Sequence, residues 1–197
     1  MRDDFSRTQW PTGETEDEIA WVSHELLSDA YRMQIRVVID DAVVAHETLP
    51  IEVPFNPAGF PYEFTASVTA SKHSGPERTG MGLLFGCENE DACYEFSVIP
   101  DQGTALLSRI DDEGWVELEG PVQIGALPQY DNVLTVTGSE RMYSFQVNGN
   151  AVMAAQLDVA AYPRIGLSVQ VAGEGYVGVV TSDDMVVGQA VEVREAE

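Results

Sequence analysis

The sequence predicts an all-β chain folded as a two-sheet antiparallel β-sandwich, and three observations lead there. Runs of alternating apolar and polar residues recur along it, turn residues separate them about every eight to twelve positions, and no stretch carries sustained helical periodicity. A single helical turn at Leu157 to Tyr162 is the only departure expected. At 197 residues the chain suits one domain, spanning 1–197, with a core from about 4 to 187 and a charged tail, 192–197, that frays. A chain of this size buries roughly 70% of its unfolded surface, enough for a full core.

Taken in order, Phe5, Trp10 and Trp21 are apolar anchors among acidic and turn residues, with a turn at Trp10 to Gly13 and a solvated acidic loop at Thr15 to Glu18. Tyr31 to Ile39 alternates cleanly and is a strand with Tyr31, Met33, Ile35, Val37 and Ile39 facing inward. Val43 to Val53 reads as one or two short strands. Three prolines and a glycine between Pro54 and Pro61 exclude regular structure there, so this segment is expected to join the sheets. Tyr62 to Thr69 alternates again, placing Tyr62, Phe64, Ala66 and Val68 on one face. The hairpin that follows runs Met81 to Cys87, turns at Glu88-Asn89-Glu90-Asp91, and returns as Cys93 to Val98 with Tyr94, Phe96 and Val98 aligned.

Thr104 to Ile110 is the next strand, and Asp111-Asp112-Glu113-Gly114 turns it back into Trp115 to Leu118. Asn132 to Thr137 and Arg141 to Val147 form another hairpin. Asn148-Gly149 is the strongest turn signal in the chain, because both residues tolerate the positive φ of a type I′ turn. Strands at Ala151 to Ala155, Arg164 to Val171, Tyr176 to Thr181 and Met185 to Val187 complete the series.

Composition narrows the function. The formal charge is −23, from 33 acidic against 10 basic residues, and Lys72 is the only lysine. Such a chain has few cations with which to neutralise phosphates or anionic lipid, so nucleic acid is not an expected partner. No run approaches the roughly 18 apolar residues of a membrane span, so no membrane insertion by this segment is expected. The first ten residues lack an apolar signal-peptide core, and any leader or anchor is expected to lie outside this chain.

The order of motifs resembles a known fold family. It runs from Asp4-Phe5-Ser6 and Trp10 through Gly82-Leu83-Leu84-Phe85 and Tyr94-Glu95-Phe96 to Asp111, Gly114 and Trp115. It then continues with Asn132 to Val136, Phe145 to Gly149, and Ile165 to Val169. This resembles the concanavalin A-like jelly roll, in particular the laminin G-like and DUF1080-type extracellular domains of bacteria. The resemblance implies a jelly roll that serves as a lectin, a glycosidase or a non-catalytic adhesion module. Ser182-Asp183-Asp184 stands where that family closes with a Phe-Asp-Asn-like triplet.

Candidate chemistry is sparse. Cys87 and Cys93 flank a five-residue turn and would sit opposite each other if Gly86 pairs with Tyr94, so a cross-strand disulfide is expected, worth about 2 kcal/mol. It points to an extracytoplasmic location. Glu117-Leu118-Glu119 follows Trp115 at a period that shares one face, but it ends at Gly120-Pro121 and lacks a third acid, so no catalytic residue is assigned. His24, His46 and His73 have no nucleophile motif beside them. Oxygen-rich turns offer hard ligands for a structural Ca²⁺: Glu88, Asn89, Glu90 and Asp91; Asp111 and Asp112; Asp183 and Asp184. Trp115, Tyr94, and Tyr130 with Asp131 are candidates for stacking a sugar and holding its hydroxyls. The expected function is a non-catalytic extracytoplasmic module that recognises a glycan or a protein. A carbohydrate-active enzyme and a purely structural ectodomain are the alternatives.

Overall fold

A computed structural model describes residues 2–3, 10–16, 18, 20–28, 30–37, 42–48, 63–89, 92–111, 114–139, 141–159, 164–172 and 177–190. Their strands, in chain order, are β1 (Arg2–Asp3), β2 (Gly13–Glu16), β3 (Ala20–Leu26), β4 (Tyr31–Val37), β5 (Ala42–Thr48), β6 (Glu63–Ser74), β7 (Gly80–Asn89) and β8 (Ala92–Ile99). A 3-10 turn at Pro100–Gln102 leads into β9 (Thr104–Asp111), β10 (Gly114–Gln123), β11 (Asn132–Ser139), β12 (Met142–Val147), β13 (Asn150–Gln156), β14 (Arg164–Ala172) and β15 (Val177–Ala190). They pair into a nine-stranded sheet, β13-β12-β11-β6-β15-β4-β3-β2 with β1 beside β15, and a six-stranded sheet, β10-β9-β8-β7-β14-β5. The fold is therefore the expected antiparallel sandwich.

The core forms where the two inner faces meet. Alternation along β4 buries Tyr31, Met33, Ile35 and Val37, as the sequence predicts. The six-stranded sheet contributes Met81, Leu83, Phe85, Phe96, Val98, Leu107 and Val169, and the nine-stranded sheet contributes Val68, Leu134, Val136 and Phe145. Phe145 bridges the layers, its ring 5.1 Å from Phe96 and 5.9 Å from Phe85. Each such side chain contributes about 1.5–3 kcal/mol by leaving water.

Several boundaries differ from expectation for identifiable reasons. The acidic stretch Gly13–Glu16 is an exposed edge strand, paired with β3 and tied to it by backbone bonds rather than by burial. β3, whose sequence AWVSHEL alternates only loosely, was not expected as a strand; Ala20 is buried and Val22 and Leu26 pack on the core. Ser182-Asp183-Asp184 is not a turn but lies inside β15, where a register shift between Asp183 and Val186 absorbs one extra residue. β10 runs well past Leu118, with two register shifts and a cis Gly120-Pro121 peptide. The Asn148-Gly149 turn has both residues at positive φ, 52° and 77°, and joins β12 to β13 as predicted. The strands on either side of the 49–62 segment, β5 and β6, belong to different sheets, while the segment itself, the helical turn expected up to Tyr162, and the 192–197 tail lie wholly or partly outside the described residues.

Candidate glycan-recognition face

The predicted hairpin is β7 and β8, but its register differs by one residue. Phe85, not Gly86, pairs with Tyr94, and the chain bulges before Asn89 meets Ala92. Gly86 takes φ +60°, which a residue with a Cβ adopts only at a cost. Past the bulge, Cys87 and Cys93 turn to the sheet's outer face and are joined by a disulfide with Cα atoms 4.1 Å apart. With Leu84 and Ile110 they form a small second apolar cluster.

That outer face is where the polar chemistry collects. Along β8, Tyr94, Phe96 and Val98 point to the core, so Cys93, Glu95 and Ser97 point away from it. Yet Glu95 is 0% exposed. Its carboxylate accepts hydrogen bonds from Trp115 Nε1 at 3.0 Å, from Ser168 Oγ, and from Gln170 Nε2, which lies 2.9 Å from both oxygens. Gln170 Nε2 also lies 3.2 Å from Ser97 Oγ. No basic side chain is ion-paired to Glu95 among the described residues. Burial of a lone carboxylate is costly, and these charge-assisted bonds offset it.

Gly82 makes room for the network. It sits between Ser97 and Ser168 in the register, and a Cβ there would overlap Ser168 Oγ and come within 2.9 Å of Glu95 Oε1. Trp115 closes the network from the other side. Its strand, β10, is separated from β8 by β9, so an indole that reaches Glu95 has to cross β9. Trp115 remains 40% exposed. Under that crossing lies Ser108, the register partner of both Glu95 and Glu117. Ser108 is 0% exposed and its Oγ has no hydrogen-bond partner.

The expected sugar-binding residues therefore divide among three places. Trp115 is on this outer face. Tyr94 is on the opposite face of the same sheet, packed toward the core with its ring 5.7 Å from Phe85. Tyr130 and Asp131 run beside β6 of the other sheet: Tyr130 is half-exposed with its ring 5.5 Å from His73, and Asp131 N donates to Ser71 Oγ at 2.9 Å. Nearby, Lys72 is buried and ion-paired with Asp101 at 2.5 Å, a structural tie between β6 and the 3-10 turn. The shared face expected for Trp115, Glu117 and Glu119 holds only for the first two. A bulge after Glu117 pairs Glu119 with Leu107, a core-facing position.

Of the calcium candidates, Glu88 is exposed and lines a cleft of about 220 Å³ with Arg109, Asp158 and Tyr94. Asp111 is ion-paired with Arg109 at 3.2 Å. Glu90, Asp91 and Asp112 lie outside the described residues, as do the side chains of Asn89, Asp183 and Asp184. Among the described residues, no three His, Cys, Asp or Glu side chains gather as a metal site would require.

No protein-family model and no curated protein matches the chain. Solved structures do. A carbohydrate-binding module, CBM66 from Bacillus subtilis, superposes with a TM-score of 0.57 at 11% identity over 91% of this chain and 95% of that one. A Bacillus subtilis protein of unknown function with a galectin-like fold gives 0.56 at 16% identity, covering 97% and 96%. The catalytic domain of an endo-1,3-β-glucanase (laminarinase) from Thermotoga petrophila RKU-1 gives 0.54 at 13%, covering 98% and 97%. At these identities the likeness establishes the fold alone: a jelly-roll β-sandwich.

Proposed function

We propose that this chain is a non-catalytic extracytoplasmic recognition module that binds a glycan on the outer face of its six-stranded sheet, with Trp115 as the stacking platform. The observation that carries this reading is the anchoring of Trp115: the indole N–H is fixed to the buried Glu95 while the residue stays 40% exposed. An aromatic ring held in place before the ligand arrives loses little conformational entropy on binding, and sugar faces stack on such rings. The Cys87–Cys93 disulfide supports an oxidising compartment. The carbohydrate-binding module and the laminarinase among the similar structures are consistent with a glycan ligand. Within this fold, the motif order favours the laminin G-like or DUF1080-type branch.

The same geometry speaks against hydrolysis. Glu95 and Glu117 flank Ser108 in one row, but both Glu95 oxygens are already occupied by donors and the group is closed to solvent. A general acid or a nucleophile must reach the scissile bond. A glycan array with the wild type and Trp115→Ala, each with and without Ca²⁺, tests the proposal. Binding lost in the variant supports it, and a calcium-dependent signal would add a bound ion to the reading. No glycan bound by the wild type in either condition would overturn it.

A further inference from the structure

Charge around Trp115 is one-sided. On β8, β9 and β10 the outward ionisable side chains are Glu95 and Glu117; the outward Arg164 lies on β14, in the row of Cys87 beyond the disulfide, and Arg109 of β9 is engaged with Asp111 at the sheet end. Glu117 is exposed, Glu95 is buried behind it, and Ser108 lies between them with an unpartnered, fully buried hydroxyl. Ala105 and Leu107 of β9 point into the core, so Ser108 Oγ points to this face. A buried oxygen without a donor is an unmet hydrogen bond. The ring above it presents the negative face of a π-system.

Two carboxylates, an unfilled acceptor and an open indole face are the complement of an ammonium group. The geometry points to a glycan bearing a free amine, of the glucosamine type, as the ligand class of this face, in preference to N-acetylated, neutral or uronic-acid glycans. This rests on the glycan-binding reading above and narrows it. The ammonium donates to Glu117 and to Ser108 Oγ at the edge of the indole, and the sugar ring stacks on Trp115. Glu95 attracts through its charge alone, since its oxygens already accept bonds from three side chains. Reaching Ser108 requires the exposed Glu117 side chain to move aside while Trp115 stays anchored to Glu95, and stacking on the ring changes the indole environment. A uronic acid meets two like charges and is rejected.

Calorimetric titration with oligomers of glucosamine, of N-acetylglucosamine and of glucose, at about 0.15 M salt to suppress the general attraction of an acidic protein, tests this. The expected preference for the glucosamine oligomer is on the order of tenfold, from one exposed ion pair and one cation–π contact. Glu117→Gln should lower the ratio of the glucosamine affinity to the glucose affinity. Ser108→Ala, which removes an unpaired hydroxyl and so should fold at least as well, should lower it too. Equal affinities for the three oligomers would overturn the inference while leaving glycan binding intact. A glucosamine preference that survives both Trp115→Ala and Glu117→Gln would also overturn it, because the attraction would then be general.

Discussion

The two faces of the six-stranded sheet both carry buried side chains, but bury them by different physics. The inner face is apolar and close-packed: Met81, Leu83, Phe85, Phe96 and Val98 meet the other sheet with no polar group to satisfy. The outer face buries Glu95, Ser97, Thr104, Ser108 and Ser168 and stabilises most of them through directed hydrogen bonds, with the hydroxyls of Thr104 and Ser108 left over. The first arrangement tolerates almost any well-shaped apolar filling. The second needs particular atoms, and a carboxylate buried without a cation is an expensive choice unless its geometry serves something else. Here that geometry holds an indole in place.

The comparison is sharpest where each face is cut. Phe96→Ala empties the inner face beside Phe145 and should cost about 3–5 kcal/mol, read by chemical denaturation. Glu95→Ala should cost about 2–3 kcal/mol, because Trp115, Ser168 and Gln170 all lose their acceptor. If Glu95→Ala proved neutral, the outer face would be filler rather than a built network. Replacing Cys87 and Cys93 by serine should cost about 2 kcal/mol by releasing a short loop. Adding reductant should cost the wild type a similar amount and leave the variant unaffected.

Much of the inner face was legible in the sequence, because alternation is a local signal. Tyr31 to Val37 and the aromatic members of Cys93 to Val98 fall where their period puts them. The outer face was not. Glu95 in the run Tyr94-Glu95-Phe96 reads as the solvent side of an amphipathic strand, and nothing within that run marks it as buried. Its partners come from β10 and β14, 20 and 73–75 residues away, and its space comes from a glycine on β7. Period-two patterning assigns a residue to a face but is silent about what covers that face. The clean pattern of Trp115, Glu117 and Glu119 likewise concealed a bulge, which only the pairing with β9 reveals.

The smallest expected effect separates the nine-stranded sheet from this network. Burial lowers the pKa of His24, on β3, below its ordinary value of 6.5. Its neutral form is thus favoured in the folded chain. That contribution is present in full above the unfolded value and is lost as pH falls from there through the folded value. His24→Gln should therefore lose less stability than the wild type between pH 7 and pH 5.5, by denaturation midpoint. Substitutions in the Glu95 network should leave that difference unchanged, as expected of independent sites.

The central claim is that the outer face of the six-stranded sheet is a recognition surface organised around an anchored Trp115. Heteronuclear NMR tests it most directly, since the chain has three tryptophans, Trp10, Trp21 and Trp115, each with one indole N–H resonance. On titration with a glucosamine oligomer, the Trp115 indole resonance should shift progressively while those of Trp10 and Trp21 stay in place. An unmoved Trp115 resonance, with Trp21 shifting instead or with none shifting for any glycan, would contradict the account.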